Sequence, residues 1–288
     1  MLGHTKHVEG IAFSPDGQHI TSGSGDSTVR IWNAISGEAI FVLQSEPHYT
    51  VEIVHYVPTG TKIVSCTVSI IHVWDATSGV MLNTTSPIWL DRIQSITCSL
   101  DGSQMSLASA TAIISWNLSS NYRTSITRKF PNPLTCAAFS PDKSMLLTGS
   151  YEPGISIWNT TQSSDHLPLS FSNQDEVCHI TTIKFSDSGD QVAYGTSNGK
   201  FMICNSQLGC EVLQINWDFL GIISLSFSRD GSKIVSGLYT GKICVWNTTS
   251  GEKILWPTLE HHRRIHSIII SPDGTLVFSG SEDGTVCL

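Results

Sequence analysis

The chain repeats one unit along its whole length, and this period restricts it to folds assembled from copies of a single small element. A four-residue turn marks each copy and begins at Ser14, Val57, Ser99, Ser140, Ser186, Ser228 and Ser271, so that successive copies start 41 to 46 residues apart. A second marker keeps the same spacing at Trp32, Trp74, Trp116, Trp158, Cys204 and Trp246. Seven units therefore fill the chain with no linker between them.

Each unit is predicted to form four short β-strands, here called strands a to d. Polarity alternates with a period of two, as in Val29-Arg30-Ile31-Trp32, and Gly, Pro, Asp and Ser separate the alternating runs. In the first unit we expect strand a at 8–13, b at 18–22, c at 29–32 and d at 39–43. One such sheet cannot bury both of its faces, so the sequence predicts seven sheets stacked radially.

The turn residues connect this pattern to a known family. The sequence resembles the WD-repeat β-propellers along its whole length, through Gly3-His4, the Ser14-Pro15-Asp16-Gly17 turn, Asp26, and Trp32-Asn33 where the family usually has Trp-Asp. The resemblance implies an all-β fold: a seven-bladed β-propeller of four-stranded antiparallel blades, forming a single domain over residues 1–288. The first unit, which carries the full set of motifs, is also similar to the WD-repeat arrays that follow NACHT-type signalling modules in fungal proteins.

The resemblance also implies a buried polar network in the first unit. Members of the family commonly link a His before strand a, a Ser or Thr on strand b, an Asp in the b–c hairpin and the Trp of strand c. The matching residues here are His4, Ser22, Asp26 and Trp32. Units two to six carry other residues at the His and Asp positions, so we expect apolar packing to hold those blades.

Composition narrows the choice of partner and compartment. The chain has 16 Lys plus Arg against 24 Asp plus Glu, and its net charge of −8 disfavours binding to a nucleic-acid backbone. No segment resembles a signal peptide or a membrane-spanning run. We therefore expect neither nucleic acid nor membrane as a partner, and a cytoplasmic location with a nuclear one left open.

The sequence lacks recognisable motifs for catalysis or metal binding. The eight cysteines include no C-x-x-C pair and are expected to be buried free thiols. His261, His262 and His266 form the densest His cluster, but the cations Arg263 and Arg264 lie between them and oppose a metal ion. No G-x-S-x-G nucleophile elbow is present. The sequence thus predicts no catalytic residue, no cofactor and no metal.

A partner-binding surface follows from the family resemblance. Similar propellers often bind partners on the face formed by the d–a loops and b–c hairpins, through the residues on either side of the first apolar position of strand a. Among those flanking residues, the predicted partner-binding residues are His7, Glu9, Thr50, Glu52, Arg92, Gln94, His179, Arg264 and His266. Their mixed charge suits a polar protein or peptide better than a polyanion.

Three functions are compatible with these features. The favoured one is a non-catalytic scaffold or sensor propeller that binds a protein or peptide. The alternatives are an enzyme with its site at the mouth of the channel and a substrate receptor of a ubiquitin ligase. The latter is weakened because the Arg that such receptors place two residues after Trp-Asp is Ile35, Thr77 and Ser119 in three units.

The seventh unit is predicted to be incomplete. The sequence reaches Leu288 within strand c, so we expect a three-stranded blade with 285–288 as an unprotected edge. Leu2-Gly3-His4 also reads like the end of a preceding repeat. This favours an excerpt of a longer, multidomain protein or a truncated gene model.

Overall fold

A computed structural model of the chain describes residues 1, 3–45, 48–68, 70–85, 92–99, 101–118, 124–130, 132–151, 154–160, 179–206, 211–216, 221–255 and 261–288. Within these ranges the secondary structure consists of 26 β-strands in seven antiparallel sheets, and no helix is found. The predicted all-β architecture, a seven-bladed β-propeller, is confirmed.

The first three sheets each contain four strands in chain order. Blade one contains β1 (Val8–Phe13), β2 (His19–Ser24), β3 (Thr28–Asn33) and β4 (Ala39–Gln44). Blade two contains β5 (Ile53–Tyr56), β6 (Lys62–Cys66), β7 (Ile71–Asp75) and β8 (Met81–Thr85). Blade three contains β9 (Ile93–Cys98), β10 (Gln104–Ser109), β11 (Ala112–Asn117) and β12 (Thr124–Lys129).

The next three sheets follow the same order. Blade four has three strands in the described ranges: β13 (Leu134–Phe139), β14 (Met145–Ser150) and β15 (Ile155–Asn159). Blade five contains β16 (Ile180–Phe185), β17 (Gln191–Thr196), β18 (Lys200–Asn205) and β19 (Glu211–Asn216). Blade six contains β20 (Ile222–Phe227), β21 (Lys233–Leu238), β22 (Ile243–Asn247) and β23 (Lys253–Leu255).

Blade seven has three strands, as predicted, but its edge is not fully open. The strands are β24 (Ile265–Ile270), β25 (Val277–Ser281) and β26 (Val286–Cys287). The amino group of Met1 donates a hydrogen bond of 2.7 Å to the Val286 carbonyl, and the Val286 amide donates one of 3.3 Å to the Met1 carbonyl. The expectation of an unprotected edge is therefore wrong at Val286, because backbone contacts from the far end of the sequence satisfy its polar groups.

The turn between strands a and b is closed by its own side chains. In blade one the Ser14 carbonyl accepts from the Gly17 amide at 2.9 Å, and the Ser14 hydroxyl donates to Asp16 Oδ1 at 2.5 Å. Gly17 has a φ of 72°, a left-handed conformation that glycine adopts without strain. Lys143 takes this place in blade four with a φ of 62°, which a side chain makes costly.

The turn between strands c and d explains why Asn can replace the Asp of the Trp-Asp pair. Asn33 Oδ1 accepts from the amides of Ile35 at 2.9 Å and Ser36 at 2.8 Å. Asp75 Oδ1 accepts equivalent bonds from Thr77 and Ser78 at 3.0 and 2.7 Å. Both side chains cap the same turn with one oxygen, so the exchange leaves the local structure intact.

A β-bulge recurs near the start of strand a. In blade one Val8 pairs with Ser24 and Gly10 pairs with Gly23, so that Glu9 has no partner on β2. The same irregularity falls on Gln94, Thr135, Thr181 and Ile223 in blades three to six. A bulge turns its side chain away from the regular pleat. The residue after the first apolar position is therefore aimed out of the sheet.

Neighbouring blades pack through a glycine on strand b. A Cβ added at Gly23 would lie 2.6 Å from Val51 Cγ1, and one added at Gly195 would lie 2.8 Å from Ile222 Cβ. In both cases the glycine receives the first apolar residue of the following blade. The absence of a side chain thus allows the two sheets to approach closely.

The chain divides into two compact units, residues 1–129 with 266–288 and residues 130–265. In the first unit, apolar clusters fill the spaces between blades seven and one, one and two, and two and three. In the second unit they fill the spaces between blades four and five, and five and six. Each core therefore lies between sheets. That the whole chain is one domain stays a prediction.

Cysteine side chains belong mostly to these cores. Five of the described cysteines are buried thiols that form no disulfide, namely Cys66, Cys98, Cys136, Cys204 and Cys244, while Cys287 is half-buried. Burial raises the pKa of the Cys136 thiol to about 12. Cys178 and Cys210 lie outside the described residues. The thiols of the core thus behave as small apolar groups.

Candidate functional site

The four residues of the predicted network are joined in one chain of hydrogen bonds. The Trp32 indole N–H donates to Ser22 Oγ at 2.8 Å, and Ser22 Oγ lies 2.7 Å from His4 Nε2. His4 Nδ1 lies 2.9 Å from Asp26 Oδ2. With Ser22 donating to Nε2 and the ring proton on Nδ1, every polar side-chain atom of this network has a partner while the imidazole is neutral.

The pKa directions agree with that arrangement. Burial lowers the pKa of His4 from 6.5, and its hydrogen bond to Asp26 only partly opposes the effect. Burial alone would raise the pKa of Asp26, but hydrogen bonds from the Thr28 hydroxyl, the Thr5 amide and His4 outweigh it and lower the pKa to about 2. The network therefore holds a carboxylate beside a neutral imidazole.

Part of this network persists where the His and Asp are missing, which the sequence reasoning overlooked. The indole N–H of the strand-c Trp donates to a buried hydroxyl on strand b in three further blades. The pairs are Trp74 with Ser65 at 2.8 Å, Trp158 with Thr148 at 2.7 Å and Trp246 with Ser236 at 3.0 Å. Apolar packing in these blades is thus supplemented by one buried hydrogen bond each. The signal was present in the sequence as a Ser or Thr nine or ten residues before the Trp.

Glu9 lies between two imidazoles on the face of the d–a loops and b–c hairpins. Its Oε2 is 3.2 Å from His266 Nδ1, and its Oε1 is 3.5 Å from His7 Nε2. The two imidazole centroids are 6.3 Å apart. Gly25 makes room for His7, because a Cβ at Gly25 would lie 2.5 Å from the ring. The structure thus brings three of the predicted partner-binding residues together.

Glu52 and Arg92 form a second polar group in the same unit of the chain. Arg92 Nε is 3.3 Å from Glu52 Oε2, and the Arg92 side chain is 60% exposed while that of Glu52 is 17% exposed. Burial raises the pKa of Glu52, the charge of Glu9 raises it further, and Arg92 partly opposes both. Glu52 is therefore a carboxylate whose charged form is incompletely stabilised.

The remaining predicted residues are placed as follows. Thr50 is half-buried in the loop before β5, and Gln94 occupies the bulge of β9. His179 precedes β16, with its ring centroid 5.8 Å from that of Tyr151. Arg264 precedes β24 and is half-buried. These residues occupy the expected loop positions: Thr50, Gln94 and Arg264 each lie two residues along the chain from a member of the two polar groups, whereas His179 lies in blade five.

Two exposed aromatic residues were missed by the sequence reasoning. Tyr151 and Tyr239 are 74% and 56% exposed, and both follow strand b, in the b–c hairpins of blades four and six. Blade one has Gly25 at the corresponding position. Exposed tyrosines are common anchors in protein interfaces. A Tyr at a hairpin position otherwise suited to Gly was the available signal.

Metal binding and membrane insertion have no structural support in the part of the chain that the structure describes. No three His, Cys, Asp or Glu side chains among these residues come together as a metal-binding group. None of the described segments forms a helix that is long and apolar enough to cross a membrane. The polar surface at Glu9 and Glu52 is therefore the best candidate functional site in the described ranges.

Fold and site together define the class of protein: a seven-bladed β-propeller that presents polar side chains from strand-a bulges and loops. The family model of the WD domain, G-beta repeat, matches residues 1–33, 124–159, 218–247 and 255–288. The four matches cover strands a to c of blades one, four, six and seven, the second and fourth begin in the last strand of the preceding blade, and the first includes the Gly3-His4 and Trp32-Asn33 motifs. The chain therefore carries WD domain, G-beta repeats in four of its blades and resembles the WD-repeat proteins.

Similar curated proteins are WD-repeat or G-protein β proteins. The chain is 21% identical to a guanine nucleotide-binding protein subunit beta of Solanum tuberosum over 313 aligned residues, covering 98% of this chain and 80% of that protein. It is 22% identical to periodic tryptophan protein 2 of Arabidopsis thaliana over 201 residues, covering 69% of this chain and 22% of that protein. An uncharacterized WD repeat-containing protein of Synechocystis is 42% identical over 66 residues, which cover 23% of this chain and 19% of that protein.

The chain corresponds to only part of several of these relatives. The chain spans 22%, 19% and 23% of the length of three of the relatives that it matches. WD-repeat propellers generally serve as scaffolds for protein interactions and are typically non-catalytic. That general role is the one that the similarity to these proteins supports.

Proposed function

We propose that the chain is a non-catalytic interaction scaffold or sensor propeller, and that it binds a protein or peptide partner on the d–a loop and b–c hairpin face. The contact residues would be His7, Glu9, Thr50, Glu52, Arg92, Gln94, His179, Arg264 and His266. The family gives the general role, while the surface is inferred from the placement of these side chains.

The observation that carries the proposal is the state of Glu52. Its side chain is mostly buried, its pKa is raised, and its partner Arg92 is more exposed than it is. A poorly stabilised carboxylate lowers folding stability at neutral pH, and such groups are typical of functional sites. A partner that supplied further hydrogen-bond donors to Glu52 would relieve this cost on binding.

The charged side chains of this surface indicate what kind of partner it would bind. The cluster contains two carboxylates, Glu9 and Glu52, and the exposed cation Arg92 within one region. A partner surface with a basic and an acidic group close together would match this pattern. A uniform polyanion would be repelled by the two glutamates. We therefore favour a polar segment of a protein.

Affinity capture tests the surface. The bait is the wild-type chain or the Arg92→Glu, Arg264→Glu double variant, and recovered proteins are quantified by mass spectrometry. The matched control is Lys62→Glu, Lys233→Glu, which changes the net charge equally at the a–b turn end of strands β6 and β21. We expect the first variant to lose partners at least tenfold and the control to retain them. Equal recovery with all three baits would discard the surface.

The alternative functions stay predictions. A channel-mouth enzyme requires a reactive group, and a ubiquitin-ligase receptor requires a ligase adaptor among the captured partners. The resemblance to arrays behind NACHT-type modules and the membership of a longer protein are tested by reading the coding sequence on both sides of the chain. A phosphate-binding loop upstream would support the sensor form of the proposal.

A further inference from the structure

A cleft of about 460 Å³ opens between blades one and two, at the end of the strands that carries the a–b and c–d turns. This is the opposite end of the strands from Glu9 and Glu52. The described residues that line it include Asp16, Ile31, Ile40, Phe41 and Tyr56. All of them belong to the first compact unit. The cleft is therefore separate from the surface proposed above.

Tyr56 places a buried phenol in this cleft. The residue ends β5 and is only 6% exposed, yet its hydroxyl makes no hydrogen bond with any residue in the described ranges. Burial raises the pKa of Tyr56, and the charge of Asp16 raises it further. The phenol therefore stays protonated, and its oxygen is available to a ligand. The hydroxyl oxygen is not one of the fully buried unpartnered polar atoms of the described residues, so it opens into the cleft.

Asp16 supplies a free carboxylate oxygen at the same place. In blades three, four, six and seven the corresponding Asp also binds, through Oδ2, a hydroxyl two residues later. The donors are Ser103 at 2.8 Å and Ser144, Ser232 and Thr275 at 2.7 Å. Blade one has Gln18 at that position, and the described residues provide no donor to Asp16 Oδ2. Among these five described turns, the cleft thus coincides with the one that leaves Oδ2 unoccupied.

The rest of the lining is mixed, with an apolar side formed by Ile31, Ile40, Phe41 and Ala76 and a polar side formed by Ser14, His19, Thr59, Thr61 and Thr77. Ile31 and Phe41 form part of the wall, and Ile40 lies at the mouth with 42% of its surface exposed. Val42, further along β4, is 54% exposed. An apolar wall that continues onto an exposed outer strand suits an extended segment rather than a small polar solute.

We propose that this cleft binds a segment of a partner protein that carries an aliphatic side chain close to an arginine. The aliphatic group would pack against Ile31, Ile40 and Phe41. The guanidinium would donate to Asp16 Oδ2 and to the Tyr56 hydroxyl oxygen. Two acceptors at one site match the planar fork of arginine better than the single point charge of lysine. Asp16 is the one carboxylate among the described lining residues, so a cation is the complementary partner.

Synthetic peptides provide the probe. They are acetylated and amidated, contain one leucine and one arginine separated by zero, one or two glycines, and are otherwise glycine and serine. Two matched peptides replace the arginine by the neutral isostere citrulline or the leucine by alanine. Binding is followed by NMR of ¹³C-labelled isoleucine δ1 methyl groups. Ile31 and Ile40 report on the cleft, and Ile155 in blade four is the control signal.

For one of the three leucine–arginine spacings we expect saturable shifts at Ile31 and Ile40, with a Kd of about 1 mM, which is typical of a weak contact through two residues. Citrulline should weaken binding at least fivefold, and alanine at least threefold. Asp16→Asn and Tyr56→Phe should each weaken it at least threefold. Asp230→Asn, which alters the equivalent turn in blade six, should leave binding unchanged.

Gln18→Ser gives the sharpest test, because it removes no lining group. The new hydroxyl should bind Asp16 Oδ2 as Ser232 binds Asp230 Oδ2, and so compete with the arginine. We expect weaker binding with unchanged thermal stability.

Several outcomes would overturn the proposal. These are shifts that do not saturate with any spacing, equal binding of the citrulline peptide, or Gln18→Ser and Asp16→Asn variants that bind as well as wild type. Shifts at Ile31 and Ile40 that depend on protein concentration without peptide would show that a second copy of the chain covers the cleft, which would also contradict it.

Discussion

Two buried carboxylates in the same compact unit show opposite behaviour. Asp26 accepts hydrogen bonds from Thr5, Thr28 and His4, and its pKa is lowered to about 2. Burial raises the pKa of Glu52, and the like charge of Glu9 adds to this rise while the opposite charge of Arg92 counteracts it. The first carboxylate stabilises the folded chain in its charged form. The second destabilises it, which suggests that it is retained for a reason other than folding.

The difference arises from how many donors each group receives. Asp26 lies in the b–c hairpin and accepts hydrogen bonds from the amide and hydroxyl of Thr28 and from the amide of Thr5 before strand a. Glu52 lies at the entry to strand a, where one exposed arginine is its ion-pair partner. A buried charge is favourable only when its hydrogen bonds are complete. Completeness of hydrogen bonding thus separates the structural network from the candidate interaction surface.

The largest expected effect concerns the centre of the network. Ser22→Ala removes a partner from both the Trp32 indole and His4 Nε2, whereas Ser65→Ala in blade two deprives the Trp74 indole. We expect the free energy of unfolding to fall by about 3 kcal/mol for the first and about 1.5 kcal/mol for the second. Urea denaturation measures both. Equal losses would mean that His4 adds nothing to blade one.

Asp26→Asn tests the hydrogen bonds that lower the pKa of the Asp26 carboxyl. The amide nitrogen would replace an oxygen that faces the Thr5 amide and the His4 ring, or the side chain would have to flip and face Thr28. We expect a loss of about 2 kcal/mol in the free energy of unfolding at pH 7. Asp230→Asn is the matched control, and its loss should be much smaller because its carboxylate is exposed and its donors can bind water. A loss as large in Asp230→Asn would refute the special role of Asp26.

The pH dependence of stability checks the protonation state of His4. Because its pKa is lowered in the folded chain, the unfolded chain binds the proton first as the pH falls below 6.5, and this destabilises the fold. His4→Gln removes that term. The stability advantage of wild type over His4→Gln should therefore shrink on acidification from pH 7.5 to 5, by at most about 1.4 kcal/mol per pH unit. An advantage that grew would indicate a protonated His4 paired with Asp26.

The smallest expected effect is at Glu52. Since its pKa is raised in the folded chain, its contribution to stability falls as the pH rises through that pKa. Glu52→Gln should raise the free energy of unfolding by up to about 1 kcal/mol at pH 7 and by less at pH 4.5. Partner capture should be weakened in the same variant. A clear loss of stability would instead assign Glu52 to the fold.

Much of the fold could be predicted because the signals are local. The Ser-Pro-Asp-Gly turns and the alternation of polarity placed β1 at its observed bounds, Val8–Phe13, and the other strands of blade one within two residues. The His4, Ser22, Asp26 and Trp32 set could be proposed since each residue has a fixed place relative to a turn. Such places depend on the spacing along the chain alone.

The rest depends on contacts between distant parts of the sequence. The pairing of Met1 with Val286 joins opposite ends of the chain, and the bulge at Glu9 becomes visible only in the register of two strands. The free oxygen of Asp16 and the unpartnered hydroxyl of Tyr56 likewise follow from which of the described side chains fail to reach them. No pattern of polarity reports such failures.

The recurring bulge in strand a has a consequence for how binding can evolve. At Glu9, Gln94 and Thr181 the register between strands a and b skips one residue, while the neighbouring residues keep their pairing. A substitution at Glu9 changes the outward surface, whereas one at Thr135 or Thr181 removes a hydrogen bond to the backbone of the next blade. The bulges are thus of two kinds, and binding specificity can change at an outward one such as Glu9 without altering the hydrogen bonds that join neighbouring blades at Thr135 and Thr181.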